Sequence, residues 1–209
     1  MTGEQVNPIP NLLTGVRLVA GMIMFMLMAI SGDAIPLVSV LPDMIFDLQR
    51  WAFYLFVLAA ATDFFDGYFA RKLNAVSKWG SILDPIADKI LVCGTILGLF
   101  AMHKGDPIFV LPGAIILFRE FAVSSLREAT AERGLSLPVT LLSKWKTTLQ
   151  MVSLGALLLT ESWAAFKLTD ILPLWYDPFF ITAYAAFWLA ALASVWTGVT
   201  YFYQTKHQL

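Results

Sequence analysis

Six long runs of predominantly apolar residues leave this 209-residue chain little choice but to fold as a helical membrane protein. A helix crosses the hydrocarbon core with about 20 apolar residues, and inside lipid only helices and closed barrels satisfy their own backbone hydrogen bonds. The runs lie at roughly 11–31, 50–71, 80–102, 107–128, 140–161 and 179–204. Composition agrees: 58% of the residues are hydrophobic and 14% charged, whereas soluble domains carry about 25% charged residues. The predicted fold is all-α and integral to the membrane, with six transmembrane helices in a single domain spanning 1–209.

Smaller features narrow the class further. The net charge of -1 offers no broad basic field, so nucleic acid is not an expected partner. Cys93 is the sole cysteine, which excludes an intramolecular disulfide and argues against a thiolate metal cluster. The segment Asn7-Pro8-Ile9-Pro10-Asn11 breaks and caps the chain before the first run. No basic region precedes that run, and it is long enough to span, so a retained helix is expected rather than a cleaved leader. The Met22, Met24, Met26 and Met28 series reads as lipid-facing or packing surface, and His103 as a solvated loop residue.

Orientation follows from lysine and arginine in the connections. Arg71, Lys72, Lys78, Arg127, Arg133, Lys144, Lys146 and Lys206 fall on one side. The other side has Arg50, Lys104 and Lys167 among Asp33, Asp43, Asp47, Asp106, Glu161, Asp170 and Asp177. Both termini and the basic loops are therefore predicted to face the cytoplasm.

Four carboxylates sit at that boundary. Asp63 and Asp66 are three residues apart, and Asp84 and Asp88 four apart, so each pair shares a helix face. The short connection makes the second and third helices antiparallel neighbours, able to bring both pairs to one depth. Carboxylates at membrane depth are costly, and four cannot stay ionised together in a low dielectric without cations. Oxygen-only ligands suit Mg²⁺ or Mn²⁺, and two such ions can clamp a phosphate during an in-line displacement. Gly67 and Ala70 leave a bare strip beside the acids, Gly80 permits close approach at the start of the third helix, and Arg71 can hold a phosphate or pair with Asp66 or Asp63. Two other readings stand beside the metal site: interhelical salt bridges, and the ion pathway of a divalent-cation transporter.

The pattern D-x-x-D-G-x-x-A-R-x8-G-x3-D-x3-D, carried by Asp63, Asp66, Gly67, Ala70, Arg71, Gly80, Asp84 and Asp88, resembles the signature of the CDP-alcohol phosphatidyltransferases. That resemblance implies transfer of a phosphatidyl group from CDP-diacylglycerol to an alcohol, with release of CMP. It further implies two divalent cations on Asp63, Asp66, Asp84 and Asp88, with Asp88 also the base that activates the acceptor hydroxyl. Gly67, Ala70 and Gly80 would border the cytidine diphosphate, in a polar chamber open to the cytoplasm. A homodimer in a bacterial inner membrane is the expected setting, with membrane lipids as neighbours.

Other segments bear on the acceptor. The stretches Asn7–Arg17, Phe118–Glu128 and Ser143–Met151 are similar to those of the family branch whose acceptor is glycerol 3-phosphate. A dianionic acceptor needs fixed cations, and Arg119 lies inside an apolar run, where it is costly without a partner. Arg127 is eight residues on, and Lys144 and Lys146 enter from the next helix, so these four are the candidate acceptor-phosphate pocket. For Arg127, Lys144 and Lys146 the alternative is ordinary topology or attraction to anionic headgroups. Asn11 and Thr14 lie near the cytidine end or cap the first helix. Arg17 pairs with a second-helix carboxylate or with the donor pyrophosphate, or serves helix packing. Inositol phosphate, serine and phosphatidylglycerol are the alternative acceptors.

Overall fold

A computed structural model describes residues 9–33, 35, 40–73, 78–134 and 141–208, with side chains over the same residues except 9–11, 64–73, 78–79, 81, 141 and 207–208. All regular structure in these residues is helical. The long helices are α1 (Ile9–Ser31), α2 (Pro42–Leu73), α3 (Lys78–Met102), α4 (Pro107–Glu132), α5 (Leu141–Glu161) and α7 (Tyr176–Gln208). A short α6 (Leu168–Ile171) and a 3-10 turn (Pro173–Trp175) precede α7. The connection between the fifth and sixth apolar runs is thus partly helical: Asp177 and Pro178 lie in the first turn of α7, where proline's missing N–H leaves no intrahelical bond unmade.

Among the described residues, five stretches are long and apolar enough to cross a membrane: Leu12–Ser31, Pro42–Asp63, Ile82–Met102, Pro107–Glu132 and Pro173–Lys206. The protein is an integral membrane helical protein. The other expected span, on α5, falls outside this set because its first half is polar, with Ser143, Lys144, Lys146, Thr147, Thr148 and Gln150.

The chain divides into two compact units, Met1–Lys104 with Glu161–Leu168, and Gly105–Thr160 with Thr169–Leu209. In the first unit α1 packs against both α2 and α3, which among the described residues touch each other only sparsely. The buried face of α1 runs Thr14, Arg17, Ala20, Gly21, Met24, Met28, a stripe of helical period. Met22 and Met26 on the same helix are exposed apolar residues suited to lipid, so the methionine run serves both purposes. Small residues let α1 and α3 approach and run parallel. A Cβ on Gly21 would meet the Leu91 backbone at 3.6 Å, one on Gly94 the Gly21 carbonyl oxygen at 3.5 Å, and one on Gly32 the Met102 backbone at 2.8 Å. At the same end as Gly32, His103 Nε2 lies 2.9 Å from Glu161 Oε1 and is mostly buried. His103 is therefore engaged with an acid instead of solvated as expected.

The second unit pairs α4 with α7 in parallel. The Tyr184 hydroxyl donates to the Ile108 carbonyl at 2.7 Å, Arg119 donates to Thr197 at 3.1 Å, and Arg127 to Tyr201 at 2.9 Å. Asp106 caps α4 by accepting from the Ile108 N–H at 3.0 Å, with Pro107 in the first turn.

The close approach at Gly32 is testable. Gly32→Ala forces backbone apart and should cost about 1–3 kcal/mol, seen as a lower melting temperature in detergent. Gly15→Ala, where nothing lies within 4 Å, should leave melting unchanged or raise it. Equal melting for Gly32→Ala and the parent chain would contradict the packing at that position.

Candidate active site

Three of the expected carboxylates meet on one cation. Arg17 reaches Asp63 Oδ1 and Asp88 Oδ1 through Nη1, the latter at 2.9 Å, and Asp84 Oδ1 through Nη2 at 3.4 Å. Thr14, one turn earlier, donates its hydroxyl hydrogen to the same Asp84 oxygen. Arg17 is 1% exposed, whereas Asp63, Asp84 and Asp88 keep about half of their side-chain surface open, at 52%, 49% and 56%. The buried cation thus faces inward and the acids outward. Arg17 Nε is buried without a partner among the described residues.

Local structure explains the convergence. The apolar part of α2 ends at Asp63, that of α3 begins two residues before Asp84, and Thr14 and Arg17 stand near the start of α1's apolar part. Polar groups are thereby collected at one end of three helices, with α1 as the element that unites them. Arg17 settles into the first of its expected alternatives, pairing with a second-helix carboxylate, and reaches the third helix as well. Gly80 is buried on α3. The side chains of Asn11, Asp66, Gly67, Ala70 and Arg71 lie outside the described residues.

The donor set is chemically suited to a hard divalent cation. Among the described residues it offers carboxylate oxygens with half of their side-chain surface accessible, three acids to a single guanidinium. Among the described residues no three acidic, histidine or cysteine side chains surround a common point as ligands; the acids are instead arranged around Arg17.

The second unit holds a cationic cluster. Lys146, 4% exposed on α5, pairs with Glu120 on α4, and Arg119 lies 3.3 Å from the same Glu120 oxygen. Arg119 and Arg127 both lie over the ring of Tyr201, their guanidinium carbons 5.8 and 5.1 Å from its centre. The Tyr201 hydroxyl accepts from Arg127 and lies 3.1 Å from Ser143 Oγ. Of the four expected acceptor cations, Arg119, Arg127 and Lys146 share this cluster, while Lys144 is exposed and joins none of these described contacts. Tyr201, Thr197 and Glu120's double pairing escaped the sequence reading of the site. The signal available was the stripe Thr197, Tyr201, Thr205 at four-residue spacing in an otherwise apolar run, all buried.

The sequence profile of the CDP-alcohol phosphatidyltransferases matches residues 7–199, almost the whole chain and every acid of the cluster. The chain belongs to this family. Among CDP-alcohol phosphatidyltransferases, a Rickettsia typhi protein named CDP-diacylglycerol–glycerol-3-phosphate 3-phosphatidyltransferase is 44% identical over 153 residues, covering 73% of this chain and 78% of the relative. A Cereibacter sphaeroides protein of the same name is 42% identical over 155 residues, covering 72% and 63% respectively. A Haemophilus influenzae protein, also of that name, is 34% identical over 157 residues, with 74% and 77% covered.

Arg17→Met removes the cation that, among the described residues, three acids share. Because those acids are half exposed they can hydrate, so the expected loss is about 1–2 kcal/mol. The drop in melting temperature should shrink in Asp63→Asn/Arg17→Met, where one repelling charge is also gone. An unchanged melting temperature in Arg17→Met would show that the pairing holds nothing together.

Proposed function

We propose that the protein transfers the phosphatidyl group of CDP-diacylglycerol to glycerol 3-phosphate, releasing CMP and forming phosphatidylglycerophosphate. The observation that carries the choice of acceptor is the likeness to relatives of that one named activity across nearly three quarters of the chain. The cationic cluster of Arg119, Arg127 and Lys146 agrees with it, since a dianionic acceptor demands fixed positive charge and serine does not.

In this reading Asp63, Asp66, Asp84 and Asp88 hold two divalent cations, Mg²⁺ or Mn²⁺. Those ions, when bound, supply positive charge to the donor pyrophosphate. Asn11, Thr14, Gly67, Ala70, Arg71 and Gly80 border the CDP-lipid, and Arg17 stands behind the acids. Thr14 and Arg17 hold Asp84 and Asp88 in fixed rotamers, so the acids need not reorganise when the donor arrives. Asp88 takes the proton from the sn-1 hydroxyl of glycerol 3-phosphate. The freed oxygen forms a bond to the β-phosphorus, the bond from that phosphorus to CMP breaks, and CMP leaves with its electron pair. Arg119, Arg127, Lys144 and Lys146 bind the acceptor phosphate.

The setting belongs to the same proposal. α5 is the sixth span, its polar half at the cytoplasmic boundary beside the basic loops. The polar chamber opens to the cytoplasm of a bacterial inner membrane, the diacyl tails stay in the bilayer, and the enzyme is a homodimer.

The test is CMP release by purified protein given CDP-diacylglycerol, Mg²⁺ or Mn²⁺, and each candidate acceptor in turn. Release with glycerol 3-phosphate alone is expected. Release with inositol phosphate instead would overturn the acceptor, and none with any acceptor would overturn the reaction. Asp88→Asn should lower turnover by about 10²–10⁴-fold while sparing CDP-lipid binding; an active Asp88→Asn enzyme would remove Asp88 as the base.

A further inference from the structure

The phenol of Tyr201 has more partners than a membrane-helix aromatic usually finds. It is 2% exposed on α7. Its oxygen accepts from Arg127 Nη2 at 2.9 Å and shares a hydrogen bond with Ser143 Oγ at 3.1 Å. Both arginines of α4 lie over its ring, at 5.1 and 5.8 Å. The neighbouring turn of α7 completes the arrangement. Thr197 accepts from Arg119 Nη2 at 3.1 Å, and a Cβ on Gly198 would come to 3.1 Å from Arg119 Cγ, so the absent side chain there admits the arginine stem. Arg119 Nε is buried and unpartnered among the described residues.

Two guanidiniums over one ring repel each other, and each would otherwise seek its own carboxylate. The nearby acid, Glu120, already carries Lys146 as well as Arg119. Among the described residues, the electron-rich face of the ring and the phenol oxygen are what hold Arg127 close to Arg119. A pair of guanidiniums kept near each other without a full complement of anions is primed for a dianionic group that both can contact.

We propose that Tyr201 is the positioning residue for the acceptor phosphate: through its ring and hydroxyl it sets the separation and direction of Arg119 and Arg127, with Ser143 fixing the phenol from α5. This rests on the reading that the cationic cluster binds the acceptor phosphate. Tyr201 lies beyond the segment matched by the family profile, which ends at residue 199, so the role is argued from these contacts alone. Tyr201 does not touch the reacting atoms; it acts through the arginines.

Initial rates of CMP release by the full-length protein, varied separately in glycerol 3-phosphate and in CDP-diacylglycerol, test it. Tyr201→Phe keeps the ring and loses the hydroxyl. Its KM for glycerol 3-phosphate should rise about tenfold, the scale of one hydrogen bond to a charged group. Its kcat and its KM for CDP-diacylglycerol should move less than about twofold, as for lost uniform binding. Because the hydroxyl acts through Arg127, Arg127→Gln/Tyr201→Phe should be no worse than Arg127→Gln alone. An unchanged acceptor KM in Tyr201→Phe, a matching loss in both substrates, or additive effects in the double variant would each overturn the proposal. If Arg127→Gln and Arg119→Gln themselves leave the acceptor KM unchanged, the fault lies with the phosphate pocket and the inference falls with it. Should Tyr201→Phe not fold, Ser143→Ala carries the same test, with an expected rise in acceptor KM of about threefold.

Discussion

A single buried guanidinium organises the acidic end of the first unit. Arg17 is almost wholly enclosed, yet its partners Asp63, Asp84 and Asp88 remain half open. A charge removed from water is tolerated only when paired and hydrogen-bonded. Here the pairing comes from acids on α2 and α3, and the cation from α1 between them. The three helix ends are therefore tied by one residue, and the acids are held with their free oxygens outward. Every chemical role assigned to the cluster depends on that arrangement. Acids packed inward would neutralise or pair off, and acids without Arg17 would repel one another.

Small residues make the contact possible. Gly21, Gly94 and Gly32 let the α1 and α3 backbones approach along their length, in the manner by which membrane helices pack without a hydrophobic driving force. The close approach carries Thr14 and Arg17 to the level of Asp84 and Asp88. The second unit solves the opposite problem. Among the described residues it gathers three cations and offsets them with one glutamate and the face of a tyrosine. In the proposed reaction the acidic set serves metal ions and the donor pyrophosphate, and the cationic set the phosphate of the acceptor.

Much of this was legible from residues alone, for definite reasons. Apolar runs of span length and acids at three- and four-residue spacing are local patterns, and local patterns survive without a structure. The partner of Arg17 was narrowed to alternatives but not chosen, because nothing in a sequence says which helix wedges between two others. α2 and α3, expected as direct neighbours, meet mainly through α1. The polar first half of α5 blurred its standing as a span, since Lys146 and Gln150 are buried inside the protein and not placed in lipid. Tyr201 was not singled out at all. An aromatic residue in an apolar run resembles lipid-facing surface, and only the arginines on another helix give it a task. His103 was misplaced for a similar reason, its partner Glu161 being remote in sequence.

Binding of Mn²⁺ to the purified protein, followed by the EPR signal of the free ion in the presence of CDP-diacylglycerol, bears most closely on the acidic cluster as the seat of the chemistry. The parent chain should deplete the free ion saturably, and Asp84→Asn, compared at a temperature well below the melting points of both proteins, should lose most of that binding together with CMP release. Equal Mn²⁺ binding by both proteins, or full CMP release in the presence of a chelator, would contradict the assignment.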